Sequence, residues 1–161
     1  MTITIRVNGN PAPQGSKTFK GHARNGRAIL VESSQHLKPW RAHIGAAART
    51  AMRGQQPFDG PIHINLEFVM PRPKNTPKRP PTPPATKRPD IDKLARAVLD
   101  AITAICYHDD SQVTHLNNTK RIAEPDEPAG VTITIKTAEP PTYCLRCGIP
   151  HTTECKRGTN T

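Results

Sequence analysis

IDKLARAVLDAITAI, residues 91–105, is the stretch that decides the fold. At 100° per residue Ile91, Leu94, Ala95, Val98, Ile102 and Ile105 share one face, the apolar stripe of a helix that buries itself against a larger surface. Ahead of it, Ile62–Met70 reads as a strand, with Ile62, Ile64, Leu66 and Phe68 on one side. Beyond it lie strand-like segments at Gln112–Ile122 and Val131–Lys136, joined by the turn-rich Glu124–Gly130. Towards the N-terminus, Lys38–Arg53 predicts a second helix, with Pro39 in its first turn and Gly54 stopping it. Thr2–Val7 alternates Ile3, Ile5 and Val7 with polar residues and predicts a first strand, ended by Asn8-Gly9-Asn10-Pro11. The expected fold is mixed α/β (α+β), a single compact domain over residues 1–136 in the order β-α-β-α-β-β. From Thr137 the composition changes to a short tail.

A chain of 161 residues supports one domain and is short for two. Hydrophobic residues at 34% and a mean hydropathy of −0.62 make the core modest. Aromatics at 4% are too few for a base-stacking platform of the single-strand-binding kind. No apolar run approaches about 18 residues and no basic-then-apolar leader is present, so neither a membrane span nor a secretory signal is expected. The net charge is +10 and unevenly spread. Residues 1–89 hold fifteen Lys/Arg against three acids, a balance of +12, and residues 90–161 hold eight against ten, a balance of −2. A basic first half and a pI near 9.9 suit a polyanionic partner such as DNA.

Two segments concentrate that charge. A glycine-containing loop after the first strand carries Lys17, Lys20, Arg24 and Arg27. Residues 71–88 contain seven prolines, six Lys/Arg (Arg72, Lys74, Lys78, Arg79, Lys87, Arg88) and no acid. Such a stretch forms neither a helix interior nor a sheet centre, and it predicts an extended, mobile basic loop, with Pro89 following. A phosphate-contacting arm and a solvated linker are both open readings of it.

Five of the seven aspartates fall within 21 residues: Asp90, Asp92, Asp100, Asp109 and Asp110. Asp90 and Asp92 bracket the start of the decisive helix, where the positive end of its dipole favours ionised carboxylates. Their mutual repulsion is relieved by a hard divalent cation, and oxygen ligands of this kind suit Mg²⁺. Asp109-Asp110 sits at the far end of the helix, before the strand near Gln112. If that strand runs back along the helix, a carboxylate of the pair approaches the first two. The plain alternatives are an N-cap, a dipole partner and a turn.

Arg88-Pro89-Asp90-Ile91-Asp92-Lys93-Leu94, then Asp100-Ala101-Ile102, then Tyr107-His108-Asp109-Asp110-Ser111-Gln112-Val113, then Lys120, resembles RusA, the Holliday junction resolvase of bacteria and phages. Val7-Asn8-Gly9-Asn10-Pro11-Ala12-Pro13 is similar to that family's first strand and turn. The resemblance is tight over residues 88–120 and looser over 1–136. It implies a Mg²⁺-dependent endodeoxyribonuclease acting on four-way junctions as a homodimer, by paired nicks that leave 5′-phosphate and 3′-hydroxyl ends. It places that enzyme in the cytoplasm of a bacterial or phage-infected cell. It also implies that Asp90, Asp92 and Asp110 bind the catalytic metal, with Asp109 beside them, and that Lys120 meets phosphate or guards an edge strand. Lys93 stands where the family pattern has Asn. Arg96 stands where it has Lys, keeping the charge but not the ability to donate a proton. An ion-pair line Asp92–Arg96–Asp100 is the structural alternative for Arg96. A flap or branch nuclease and a non-catalytic structure-selective DNA-binding protein are the rival functions.

The tail spells C-x2-C-x3-H-x3-C through Cys144, Cys147, His151 and Cys155, which resembles a CCHC zinc knuckle. Thiolates and imidazole are zinc's preferred ligands, so structural Zn²⁺ is expected there. Cys106, at the end of the helix, reads as a buried thiol.

Overall fold

Apolar alternation in Ile3, Ile5 and Val7 produces β1 (Thr2–Asn8), whose apolar side chains are buried while the residues between them are exposed. The structure, a computed structural model, describes residues 1–15, 17–22, 25–32, 35–76 and 81–138. After β1 come β2 (Lys17–His22) and β3 (Ala28–Glu32), α1 (Leu37–Ala51), β4 (Ile62–Met70), α2 (Ile91–Ile102), a 3-10 turn at Asp110–Gln112, β5 (Val113–Ile122) and β6 (Gly130–Thr137).

The main sheet has the order β1-β6-β4-β5. β6 pairs antiparallel with both β1 and β4, whereas β5 pairs parallel with β4. A parallel neighbour needs a crossover, and α2 is that crossover. The sheet's apolar side chains (Ile3, Ile5, Ile133, Ile135, Ile64, Leu66, Phe68) form one core with Trp40, Ile44 and Ala48 of α1 and Leu94, Val98 and Ile102 of α2. The mixed α+β fold and its element order are thereby those expected, with one addition.

That addition is the antiparallel β2–β3 hairpin, a two-stranded sheet separate from the main one, where a loop was expected. Its turn holds Asn25 and Gly26 (φ +76), and the Asn25 side chain accepts from Arg27 N at 3.2 Å. Asn-Gly between extended segments is a hairpin signal, because both residues tolerate the left-handed backbone that such turns need. Lys17 and Lys20 therefore belong to a strand, and Arg24 lies outside the described residues.

Both helices are shorter than their apolar patterns. α1 stops at Ala51, and the turn through Met52 to Gly54 (φ +75) takes the last residues expected of it. α2 ends at Ile102: the Thr103 N–H donates to Leu99 O at 3.0 Å, and Ala104 turns the chain at φ +61. Ile105 still packs on the core, but from the turn. Cys106 is fully buried, and burial pushes its thiol up to about 11.

The proline-rich segment is tied down where it is described. Arg72 donates to Thr82 Oγ1 at 3.1 Å and to Ala123 O at 2.8 Å, and Thr82 donates to Glu124 at 2.6 Å. The loop expected to be mobile is thus fastened to the β5–β6 connection at both sides of residues 77–80, which lie outside the described residues with Lys78 and Arg79. Lys74, Lys87 and Arg88 are exposed. The tail from 139 onward, with Cys144, Cys147, His151 and Cys155, also lies outside the described residues.

Candidate active site

Pro89 ends the loop and Asp90 becomes the N-cap of α2, in extended conformation and with no side-chain capping bond. Its carboxylate is instead turned to Lys93, whose Nζ lies 3.0 Å from Oδ2. Asp92 stands in the first turn, exposed and without an ion pair among the described residues. The Lys93 ammonium, helped by Arg88 and Lys120, holds the Asp90 carboxyl below its ordinary 3.8. Both acids sit at the positive end of the helix dipole, which favours negative charge there.

Two backbone tethers fix this corner. On the helix side, Gln14 N donates to Lys93 O at 3.0 Å, bringing the segment before the β2–β3 hairpin against the first turn of α2. On the loop side, Lys120 of β5 donates through Nζ to Lys87 O at 3.0 Å and to Pro89 O at 2.9 Å. Lys87 and Arg88 border the acids, so the corner is a pair of carboxylates rimmed by cations. Gln14 was not among the expected site residues; its only sequence signal was its place just after the Pro11–Pro13 turn.

Asp109 and Asp110 are elsewhere. Asp109 caps the 3-10 turn, accepting from Ser111 N at 2.8 Å, and hydrogen bonds from Ser111 hold its carboxyl below 3.8. Asp110 Oδ1 accepts from Thr103 Oγ1 at 2.6 Å and from Tyr107 OH at 3.0 Å. Burial first, with the Asp110 charge adding to it, raises the Tyr107 hydroxyl well above its usual range, so it remains a donor. Thr103 is the C-cap of α2 and Asp90 its N-cap. The twelve helical residues between them span about 18 Å at ~1.5 Å per residue.

One chain therefore does not bring Asp110 to Asp90 and Asp92, and no group of three or more metal-ligating side chains forms among the described residues. The reason is topological. β5 does run back beside α2, but Asp109-Asp110 stand at its start and are left at the far end. What arrives beside Asp90 is Lys120, near the end of the strand. Gln112 holds the start of β5 in place: Oε1 accepts from His108 N and Asp109 N, and Nε2 donates to Phe58 O and Gly60 O.

Of the remaining candidates, Arg96 is exposed on α2 and makes no ion pair among the described residues. Asp100 pairs with Arg41 of α1 at 3.6 Å, and Arg41 also donates to Asp100 O. The Asp92–Arg96–Asp100 line accordingly does not form, and the Arg96 charge faces solvent one turn from Asp92.

The candidate site is thus the opening of a crossover helix on a mixed sheet, two carboxylates among basic groups. Residues 8–136 match the model of the Endodeoxyribonuclease RusA family, and the chain belongs to that family. Holliday junction resolvase nuclease activity is what membership implies. The chain is also similar to the uncharacterized protein YqaN of Bacillus subtilis strain 168, 29% identical over 133 residues that cover 76% of this chain and 89% of the relative. No helix among the described residues is long and apolar enough to cross a membrane.

Proposed function

We propose that the protein is a Mg²⁺-dependent endodeoxyribonuclease that resolves four-way DNA junctions as a two-fold homodimer, nicking opposed strands in a pair. The observation that carries this is the acidic opening of α2 within a basic chain: carboxylates weaken phosphate binding unless a cation stands between them and the DNA. Asp92 and the Oδ1 oxygen of Asp90 are hard donors without an ion-pair partner, and they fit a cation that usually takes one or two carboxylates and completes its shell with water and phosphate. Bound there, Mg²⁺ supplies charge neutralisation at the scissile phosphate and activation of the attacking water. Lys87 and Arg88 hold the approaching backbone. Arg96, permanently protonated, positions phosphate and donates no proton. Water adds to phosphorus, the P–O3′ bond breaks, and the 3′ oxygen is protonated from solvent.

Asp110 enters this reading from the second copy. Two α2 helices side by side and antiparallel across a two-fold axis bring the Asp110 end of one to the Asp90 end of the other, and a junction has the matching symmetry. The tail is proposed to hold one structural Zn²⁺ through Cys144, Cys147, His151 and Cys155.

The test is junction cleavage and binding by Asp90→Asn, Asp92→Asn and Asp110→Asn. Each is expected to abolish cleavage while binding survives, because an opposing charge is removed and Asn keeps the acceptor that Thr103 and Tyr107 use. Mixing the Asp90→Asn and Asp110→Asn proteins is expected to restore activity, since a mixed dimer regains one complete site. Wild-type cleavage by the Asp92 variant would remove the metal reading. Linear duplex cut as fast as a junction would leave a nuclease of looser specificity.

A further inference from the structure

The ammonium of Lys120 is spent on the protein's own backbone. Its Nζ reaches two carbonyls, Lys87 O and Pro89 O, that flank Arg88, the second of them immediately preceding Asp90. The residue is partly buried, on β5 beside the fully buried Phe68 of β4. Among the described residues no helix or strand lies between Met70 and Ile91, so the chain entering α2 has no ladder of its own to fix it there. With the Gln14 tether on Lys93 O, Lys120 brackets the two acids from the opposite side.

We propose that Lys120 is a positioning residue for the carboxylate pair, setting the loop-to-helix junction so that Asp90 and Asp92 face one cation, and is not a phosphate contact. This rests on the reading of that pair as the metal site. Two charge-assisted bonds to carbonyls two residues apart fix where Asp90 begins, and Asp92 follows rigidly on the helix. A carbonyl-facing ammonium gains from burial only when both acceptors are held, which makes the arrangement sensitive to the length and donors of the side chain. Groups that orient metal ligands from behind typically alter metal affinity about 10–100-fold when removed.

The two roles separate in the full-length protein by two measurements. One is Mn²⁺ binding without DNA, followed by electron paramagnetic resonance, with Asp92→Asn giving the background from other sites. The other is junction affinity against salt without divalent metal. For Lys120→Met the expectation is Mn²⁺ binding weakened about tenfold or more, with the salt slope unchanged. A phosphate contact predicts the reverse: unchanged Mn²⁺ affinity and a slope flatter by about 0.9. Lys120→Gln, which keeps donors but no charge, covers the case in which the methionine variant fails to fold. It is expected to bind Mn²⁺ more tightly than Lys120→Ala at an unchanged slope. A flattened slope with Lys120→Gln, or Mn²⁺ affinity within twofold of wild type for a folded Lys120→Met, overturns the assignment. Wild-type protein that binds no Mn²⁺ above the Asp92→Asn background overturns the metal reading as well.

Discussion

Gln112 offers the sharpest test of how the head of β5 is built. Its amide uses both ends: two backbone N–H groups, of His108 and Asp109, donate to Oε1 at 2.8 and 3.0 Å, and Nε2 donates to Phe58 O and Gly60 O at 3.1 and 2.9 Å. Gln112→Met keeps roughly the volume and removes all four. Each such bond contributes about 0.5–1.5 kcal/mol net. Three of the four are exposed, where water replaces much of what is lost, while the bond to Phe58 O is partly buried. The expected loss is therefore about 2–3 kcal/mol, below the sum of four full bonds. At roughly 2–4 °C per kcal/mol for a chain of this size, Tm falls by about 5–10 °C. The assay is paired urea and thermal unfolding followed by circular dichroism. Gln112→Glu keeps the acceptor but turns a carboxylate on two carbonyls, so it is expected to be less stable than Gln112→Met at neutral pH. The introduced carboxyl has a raised pKa, so stability recovers as pH falls and the group takes up a proton. A loss under about 0.5 kcal/mol in Gln112→Met would mean that water replaces every bond, and that the turn at Asp109-Asp110 is held by its own residues.

Lys93→Asn is expected to tighten Mn²⁺ binding, since the ammonium on Asp90 competes with any cation for the same oxygen. The same change should move the Asp90 titration up towards 3.8 in a carboxyl NMR experiment: its folded value is depressed, so the pair contributes only above that value and is lost as pH falls through it. An unmoved titration would put the depression down to Arg88 and Lys120 instead. For the tail, elemental analysis of protein kept reduced should find about one zinc per chain, absent in Cys147→Ser. Wild-type protein without zinc would end the knuckle reading.

The sequence by itself determined most of the elements and the two carboxylates that open α2. Period-two alternation gave β1 and β4, the 100° stripe gave α2, and proline crowding marked residues 71–89 as without regular structure, because those signals are local. The acids at the start of α2 were legible for the same reason: an N-terminal helical turn imposes its own electrostatics wherever it is placed. The hairpin was legible too, in Asn25-Gly26, though the surrounding charge read as loop. Only the tertiary structure decided who meets whom. Pairing β5 parallel to β4 sends the strand back along α2, which leaves Asp110 at the opposite end of that helix from Asp90 and brings Lys120 to the loop carbonyls instead. Asp100 turning to Arg41 on the neighbouring helix follows from packing no spacing rule contains, whereas the Lys93–Asp90 pair is a local i, i+3 contact. Spacing along a chain fixes distances within an element, but direction and partner between elements are set by the core they bury together.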